Sequence, residues 1–71
     1  SIVEVVASEK VANRSLRQLD TRAKYGCTIV AIRSGEEINV SPAADVVIRV
    51  GDVLVLIGHN DDLERFEEKG L

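Results

Sequence analysis

The sequence predicts an α+β fold, with a small, largely antiparallel sheet of about four strands and two or three short helices. Two observations predict it. Apolar runs rich in β-branched residues recur at strand length, and stretches with helical spacing follow the first and the last of them. The resulting order is a strand, a helical segment, three strands and a helix, which is typical of an α+β domain. With 71 residues, the chain is expected to form one domain with a modest core that a partner subunit would supplement.

The first third of the chain predicts one strand and two short helical segments. The run "SIVEVVAS" is expected to form a strand over residues 2–7. A helix is expected to begin at Ser15, because Ser15 and Gln18 fit a capping box. Asp20 is expected to cap a second helical turn, and Gly26 to end it in the left-handed conformation. The buried positions expected here are Val11, Leu16 and Leu19.

The middle of the chain predicts a β-hairpin. A continuous apolar run over residues 28–32 is expected to form a central strand, and the chain is expected to turn at Gly35. Beyond the turn, Ile38 and Val40 alternate with polar residues, which is typical of an edge strand. Pro42 then breaks the strand, because proline lacks the N–H group that a ladder requires.

The last part of the chain predicts a strand and a helix. A turn at Gly51 leads into an apolar strand over residues 52–57. Asn60 is expected to be the N-cap of a helix over "DDLERFEEKG", which Gly70 ends. Its apolar stripe is expected to be formed by Leu63 and Phe66.

Charge is distributed unevenly along the chain. The formal net charge is −3, but residues 1–24 carry five basic and three acidic groups, whereas residues 25–71 carry four basic and nine acidic groups. An acidic chain is not expected to bind a nucleic acid polymer, and a small anionic ligand is expected to bind in the basic first third.

The sequence carries no sign of a membrane span or of secretion. No segment approaches the roughly 20 apolar residues that cross a bilayer, and the N-terminal residues lack the pattern of a secretory signal. We therefore expect a cytoplasmic domain. Because the chain begins directly in a strand pattern, we also expect it to be part of a longer protein.

The sequence predicts no catalytic residues and no metal site. Cys27 is interpreted as a small buried hydrophobe, since the only histidine lies 32 positions away. His59 is interpreted as a loop residue, and the acids that follow it as the start and the solvated face of a helix. No glycine-rich phosphate loop or dinucleotide motif occurs, so nucleotide hydrolysis and hydride transfer are not expected.

The segment "SLRQLDTRAKYGCTI" is the best candidate for a binding site. Asp20 and Arg22 flank a predicted turn, and Arg17 lies one helical turn before it. An arginine held beside the N–H groups of a helix N-terminus is a good phosphate site, because its guanidinium gives paired, charge-assisted hydrogen bonds. The alternative is a surface ion pair between Asp20 and Arg22 among ordinary solvated bases.

Essentially the whole chain resembles the C-terminal RCK domain, which is also called the TrkA C-terminal domain. The resemblance covers "SLRQLDTRAKYGCTIVAIRSGEEINVSPAADVVIRVGDVLVLIGHNDDLERFE" and rests on the order and spacing of its motifs. The motifs are "SL..L..R..YG..IVAI", then "I.VSP", then "I..GD.L...G", and finally "DLERFE".

The resemblance implies a ligand-sensing domain that forms homodimers. Such domains follow an N-terminal RCK domain, to which NAD or ATP would bind, and they regulate potassium channels, potassium transporters or cation antiporters. The pattern "LD.RA.YG..I.AI" is most like the gating subunits of Ktr-type potassium uptake systems, which form a ring on a membrane transporter. The expected location is therefore cytoplasmic and peripheral to the membrane.

Within the family, the resemblance to Ktr gating subunits implies that cyclic di-AMP binds at the two-fold interface between two C-terminal domains. Relatives often carry Asn at the position of Thr28, whose hydroxyl can still donate and accept a hydrogen bond. The implied ligand-binding residues are Leu16 and Leu19 as apolar walls, Asp20 and Arg22 for polar and phosphate contacts, Cys27, Thr28 and Ile29 along the strand start, and Pro42 as a cover for the base.

Two other functions remain open at this point. The domain could be a purely structural dimerisation module, in which Asp20 and Arg22 form an ion pair. It could instead regulate a cation/proton antiporter through a divalent cation or through pH, acting on His59 and the acids near it.

Overall fold

The computed structural model, which describes residues 1–71, contains one four-stranded sheet. Its strands are β1 (Ile2–Val6), β2 (Thr28–Ser34), β3 (Glu37–Val40) and β4 (Val53–Ile57). Its helices are α1 (Leu16–Leu19), α2 (Thr21–Tyr25) and α3 (Asn60–Arg65), and a π-helical turn (Phe66–Gly70) continues α3. The predicted α+β class and the order of the elements are confirmed, and the strand bounds differ from the expected ones by one or two residues.

Strand β4 occupies the interior of the sheet. The strand order is β1–β4–β2–β3, and every pairing is antiparallel. Ile57 lies opposite both Ile2 of β1 and Thr28 of β2, so the last strand of the chain joins its first strand to its second. The predictions of an interior β2 and an edge β3 are confirmed, and β1 forms the other edge.

The core lies on one face of this sheet. Leu54 and Leu56 of β4 are fully buried and pack with Leu63 of α3 and with Phe66. Val11 and Leu19 are buried as predicted, whereas Leu16 is only half-buried at the margin of the core. Five apolar side chains in the sheet are exposed instead: Ile2, Val6, Ile38, Val40 and Ile57.

The predicted capping box at the start of α1 is confirmed. Ser15 Oγ accepts a hydrogen bond from the backbone N–H of Gln18 at 3.2 Å, and Gln18 Oε1 accepts one from the backbone N–H of Ser15 at 2.9 Å. Gly26 ends α2 at a φ of 76°, also as predicted. Asp20, by contrast, makes no side-chain cap, because it adopts the left-handed conformation itself (φ 49°, ψ 51°) and turns the chain between α1 and α2.

The predicted N-cap of α3 is wrong by one residue. His59 occupies the N-cap with an extended backbone, and Asn60 is the first helical residue. The Asn60 side chain accepts a hydrogen bond from the Ser1 hydroxyl, so a contact between the two ends of the chain takes the place of the expected cap.

No helix in the structure has the length and apolar character needed to cross a membrane.

The turn before β4 is held by a buried carboxylate. Asp52 is 6% exposed and accepts hydrogen bonds from Ser34 Oγ at 2.8 Å and from the backbone N–H of Arg49 at 3.0 Å. Its carbonyl accepts a hydrogen bond from the N–H of Ala7 at 2.8 Å. The Gly-Asp turn therefore joins the ends of β1 and β2 to the start of β4.

Replacing this carboxylate is expected to destabilise the domain. Asp52→Ala leaves the Ser34 hydroxyl and the Arg49 N–H without their acceptor, so we expect the free energy of unfolding to fall by about 2 kcal/mol in urea denaturation. Asp45→Ala removes an exposed aspartate and is expected to change it by less than about 0.5 kcal/mol. Equal losses in the two variants would contradict the structural role of Asp52.

Candidate functional site

The largest concavity of the molecule lies where α1, α2 and the start of β2 meet the segment that follows β3. It has a volume of about 350 Å³, which is within the usual range of small-molecule sites. The residues that line it are Leu16, Arg17, Asp20, Thr21, Arg22, Thr28, Ile29, Pro42 and Ala44. We refer to it below as the α1–α2 cavity.

Six of the eight predicted site residues line this cavity. They are Leu16, Asp20, Arg22, Thr28, Ile29 and Pro42, and their role in binding stays a prediction. The structure does not bring Leu19 and Cys27 to the cavity. Leu19 is 3% exposed and Cys27 is fully buried, so both side chains belong to the core.

Three further lining residues are absent from the predicted set: Arg17, Thr21 and Ala44. The position of Arg17, one helical turn before Asp20, was a usable signal in the sequence. Ala44 gave no comparable signal, because its place beside α1 depends on a contact between segments that are far apart in the chain.

Residues 44–46, in the segment that follows β3, cross the start of α1, and we call them the strap. The backbone N–H of Arg17 donates to the carbonyl of Ala44 at 2.9 Å, and the N–H of Leu16 donates to the carbonyl of Val46 at 3.0 Å. The N–H groups at the start of α1 are therefore already engaged. The positive charge that the cavity presents comes instead from side chains.

Three charged side chains line the cavity: Arg17, Asp20 and Arg22. The structure contains one ion pair, between Arg65 and Asp62 at 2.7 Å, so the alternative surface pair between Asp20 and Arg22 is not formed. Both guanidiniums in the cavity are therefore without a carboxylate partner. An anion is the ligand class that this arrangement favours.

Cys27 is a buried core residue whose environment favours the thiol form. Burial raises the pKa of the Cys27 thiol, and the Asp62 carboxylate raises it further, while the Arg65 guanidinium acts in the opposite direction. The same Arg65 also donates to the carbonyl of Tyr25 at 3.1 Å, which ties α3 to the end of α2. This environment fits the interpretation of Cys27 as a packed core residue.

The acids near His59 do not form a cluster. His59 is exposed before α3, and no group of three or more His, Cys, Asp and Glu side chains in the structure is placed to hold a metal ion.

Comparison with known proteins identifies relatives along the whole chain. The family model of the TrkA-C domain matches residues 1–69. The chain is 48% identical over 71 residues to the Ktr system potassium uptake protein A of Bacillus subtilis (strain 168), and 49% identical over the same length to the Ktr system potassium uptake protein C of that organism. It covers 32% of the length of each of these two proteins.

Two solved structures with the same fold are complexes with a cyclic dinucleotide. One is the RCK C domain of the potassium transport protein KtrA with cyclic di-AMP, at a TM-score of 0.93 and 48% identity, over 96% of this chain and 80% of that one. The other is the RCK C domain dimer of S. agalactiae BusR with cyclic di-AMP, at a TM-score of 0.87 and 26% identity, over 99% of this chain and 95% of that one. The resemblance stated from the sequence is thereby confirmed.

A side chain at Gly26 is expected to destabilise the turn between α2 and β2. Gly26 and Gly35 both have a positive φ, but a Cβ at Gly26 would lie 2.9 Å from Asp62 Oδ2, whereas one at Gly35 would meet nothing within 4 Å. We expect Gly35→Ala to cost about 1 kcal/mol of stability from backbone strain alone, and Gly26→Ala to cost clearly more. Thermal unfolding of both variants tests this, and equal costs would refute it.

The buried thiol is expected to make the domain sensitive to alkaline pH. The pKa of Cys27 is higher in the folded domain than in the unfolded chain. The stability that the protonated thiol contributes is therefore complete below the pKa of the unfolded thiol, and it is lost as the pH rises through the folded pKa. Urea midpoints measured at about pH 7 and about pH 9.5 are expected to fall more for the wild type than for Cys27→Ala. The same fall in both proteins would show that the thiol does not contribute.

Proposed function

Because this chain belongs to the TrkA-C domain family, we propose that it is a non-enzymatic regulatory domain of a potassium uptake system and that it binds cyclic di-AMP. The observation that carries this proposal is that six predicted ligand-binding residues line one cavity with two unpaired guanidiniums. The relatives support the assignment to a potassium uptake system, since the chain is 48% and 49% identical over 71 residues to two Ktr system potassium uptake proteins. Solved complexes of two RCK C domains with cyclic di-AMP support the ligand.

The proposed ligand binds between two copies of the domain. Cyclic di-AMP is symmetric and carries two phosphodiesters, so a two-fold axis allows each copy to present one Arg22 to one phosphate. The α1–α2 cavity of a single copy is open, and we propose that it forms one half of the complete site. The dimer of the BusR domain with the same ligand supports this arrangement.

Regulation follows from a difference in affinity. Suppose that the dimer has two geometries and that the shared ligand binds one of them more tightly. The ligand then shifts the protein towards that geometry, by no more than the difference between its two binding free energies. We propose that this chain is part of a longer protein that also contains an N-terminal RCK domain, with any NAD or ATP bound there, and that the ring it forms lies on the cytoplasmic side of a membrane transporter.

The two other functions have less support. A structural module held by an Asp20–Arg22 ion pair lacks that pair in the structure. A cation sensor at His59 lacks a cluster of acidic or other ligating side chains around it.

Calorimetric titration of the purified chain with cyclic di-AMP tests the proposal. We expect about one ligand per dimer, with micromolar or tighter affinity and selectivity over linear pApA and AMP. Arg22→Ala is expected to lose binding while light scattering still shows a dimer, because an exposed guanidinium contributes little to the fold. A well-folded dimer that gives neither heat nor a thermal shift with cyclic di-AMP would refute the sensor function.

A further inference from the structure

We propose that Arg17 is a second ligand-contacting cation of the α1–α2 cavity, so that each half-site presents two guanidiniums to the anionic ligand. This inference rests on the proposed function and adds a residue that the predicted site does not contain. It is carried by the charge balance of the cavity, by the turn at Asp20 and by the absence of an ion-pair partner for Arg17.

The charged residues of the predicted site leave the cavity without a net charge. Asp20 and Arg22 carry opposite charges, so that together they leave a half-site with no net charge. Arg17 gives each half-site one net positive charge, and two half-sites related by a two-fold axis carry two. That charge matches a ligand with two singly charged phosphodiesters, and it is present only if Arg17 belongs to the site.

The turn at Asp20 brings the two guanidiniums to one place. On an uninterrupted α-helix, residues five apart point in directions that differ by about 140°, so Arg17 and Arg22 would face different surroundings. Asp20 instead adopts the left-handed conformation, ends α1 and starts α2 in a new direction. Both arginines line the same cavity as a result.

Arg17 is held at the cavity but is not paired. Its backbone N–H donates to the carbonyl of Ala44 at 2.9 Å, which fixes the first turn of α1 against the strap. Its side chain is exposed and forms no ion pair, because the one ion pair of the structure joins Asp62 and Arg65. The guanidinium is therefore free to bind an anion without first breaking another contact.

Two guanidiniums in each half-site have a measurable consequence. Each cation that contacts a phosphate adds to the dependence of affinity on ionic strength, because salt screens the attraction between exposed charges. A second arginine also offers a planar pair of donors to a phosphate, which a lysine or a glutamine does not.

The test is calorimetry of Arg17→Gln with cyclic di-AMP at several salt concentrations. We expect affinity about tenfold weaker than wild type at low salt, as for the loss of one charge-assisted hydrogen bond, and a shallower dependence on salt. Arg17→Lys is expected to retain the salt dependence and to recover only part of the affinity. Arg33→Gln is the matched control: it makes the same charge change at an exposed position outside the cavity, and is expected to bind as wild type does.

The outcomes separate this inference from the proposed function. If Arg17→Gln binds with wild-type affinity and salt dependence while Arg22→Ala does not bind, the role of Arg17 is refuted and the sensor function stands. If Arg17→Gln weakens binding without changing the salt dependence, its contact is not ionic and the inference is also overturned. If the wild type binds no cyclic di-AMP, both proposals fail. Circular dichroism of each variant shows that a loss of binding is not a loss of folding.

Discussion

The placement of β4 between β1 and β2 is the constraint on which the rest of the structure depends. Leu54 and Leu56 are fully buried on the core face of this strand, and α3 packs its apolar side against the same core. The strand reaches its place through the turn at Asp52, whose side chain bonds the end of β2 and whose carbonyl bonds Ala7 after β1. Since β4 pairs with the first strand of the chain, the sheet is complete only when both ends of the chain have met, and the entropy of that closure must be offset by the core.

The α1–α2 cavity is a product of the same assembly. One wall comes from the start of β2, another from the turn at Asp20, and a third from the strap whose carbonyl at Ala44 holds Arg17. These three segments are connected to one another through the sheet and the strap. A ligand that contacts all of them, and the same segments of a second copy, is thus well placed to act on the geometry of a dimer rather than on a single side chain. This is the physical basis on which the regulatory proposal rests.

The success of the sequence predictions depended on how local their causes are. The capping box at Ser15, the left-handed end at Gly26 and the strand β3 all follow from neighbouring residues, and all were predicted. The N-cap of α3 was misplaced because Asn60 bonds Ser1 at the opposite end of the chain. The expected cap at Asp20 was wrong because a short polar side chain favours both capping and the left-handed conformation, and the sequence does not distinguish them.

By itself, the sequence determined the strands and helices, the α+β class and the basic character of the first third. Together with the family resemblance, it also indicated six of the residues that line the cavity. Only the tertiary structure decided the strand order, the absence of the buried Leu19 and Cys27 side chains from the cavity wall, and the approach of Ala44 to Arg17. The physical reason is the distance along the chain over which each of these causes acts. Backbone preference and hydrophobic period are set by residues within one or two turns, whereas strand order and the wall of a cavity are set by burial between segments that meet only after the chain has folded.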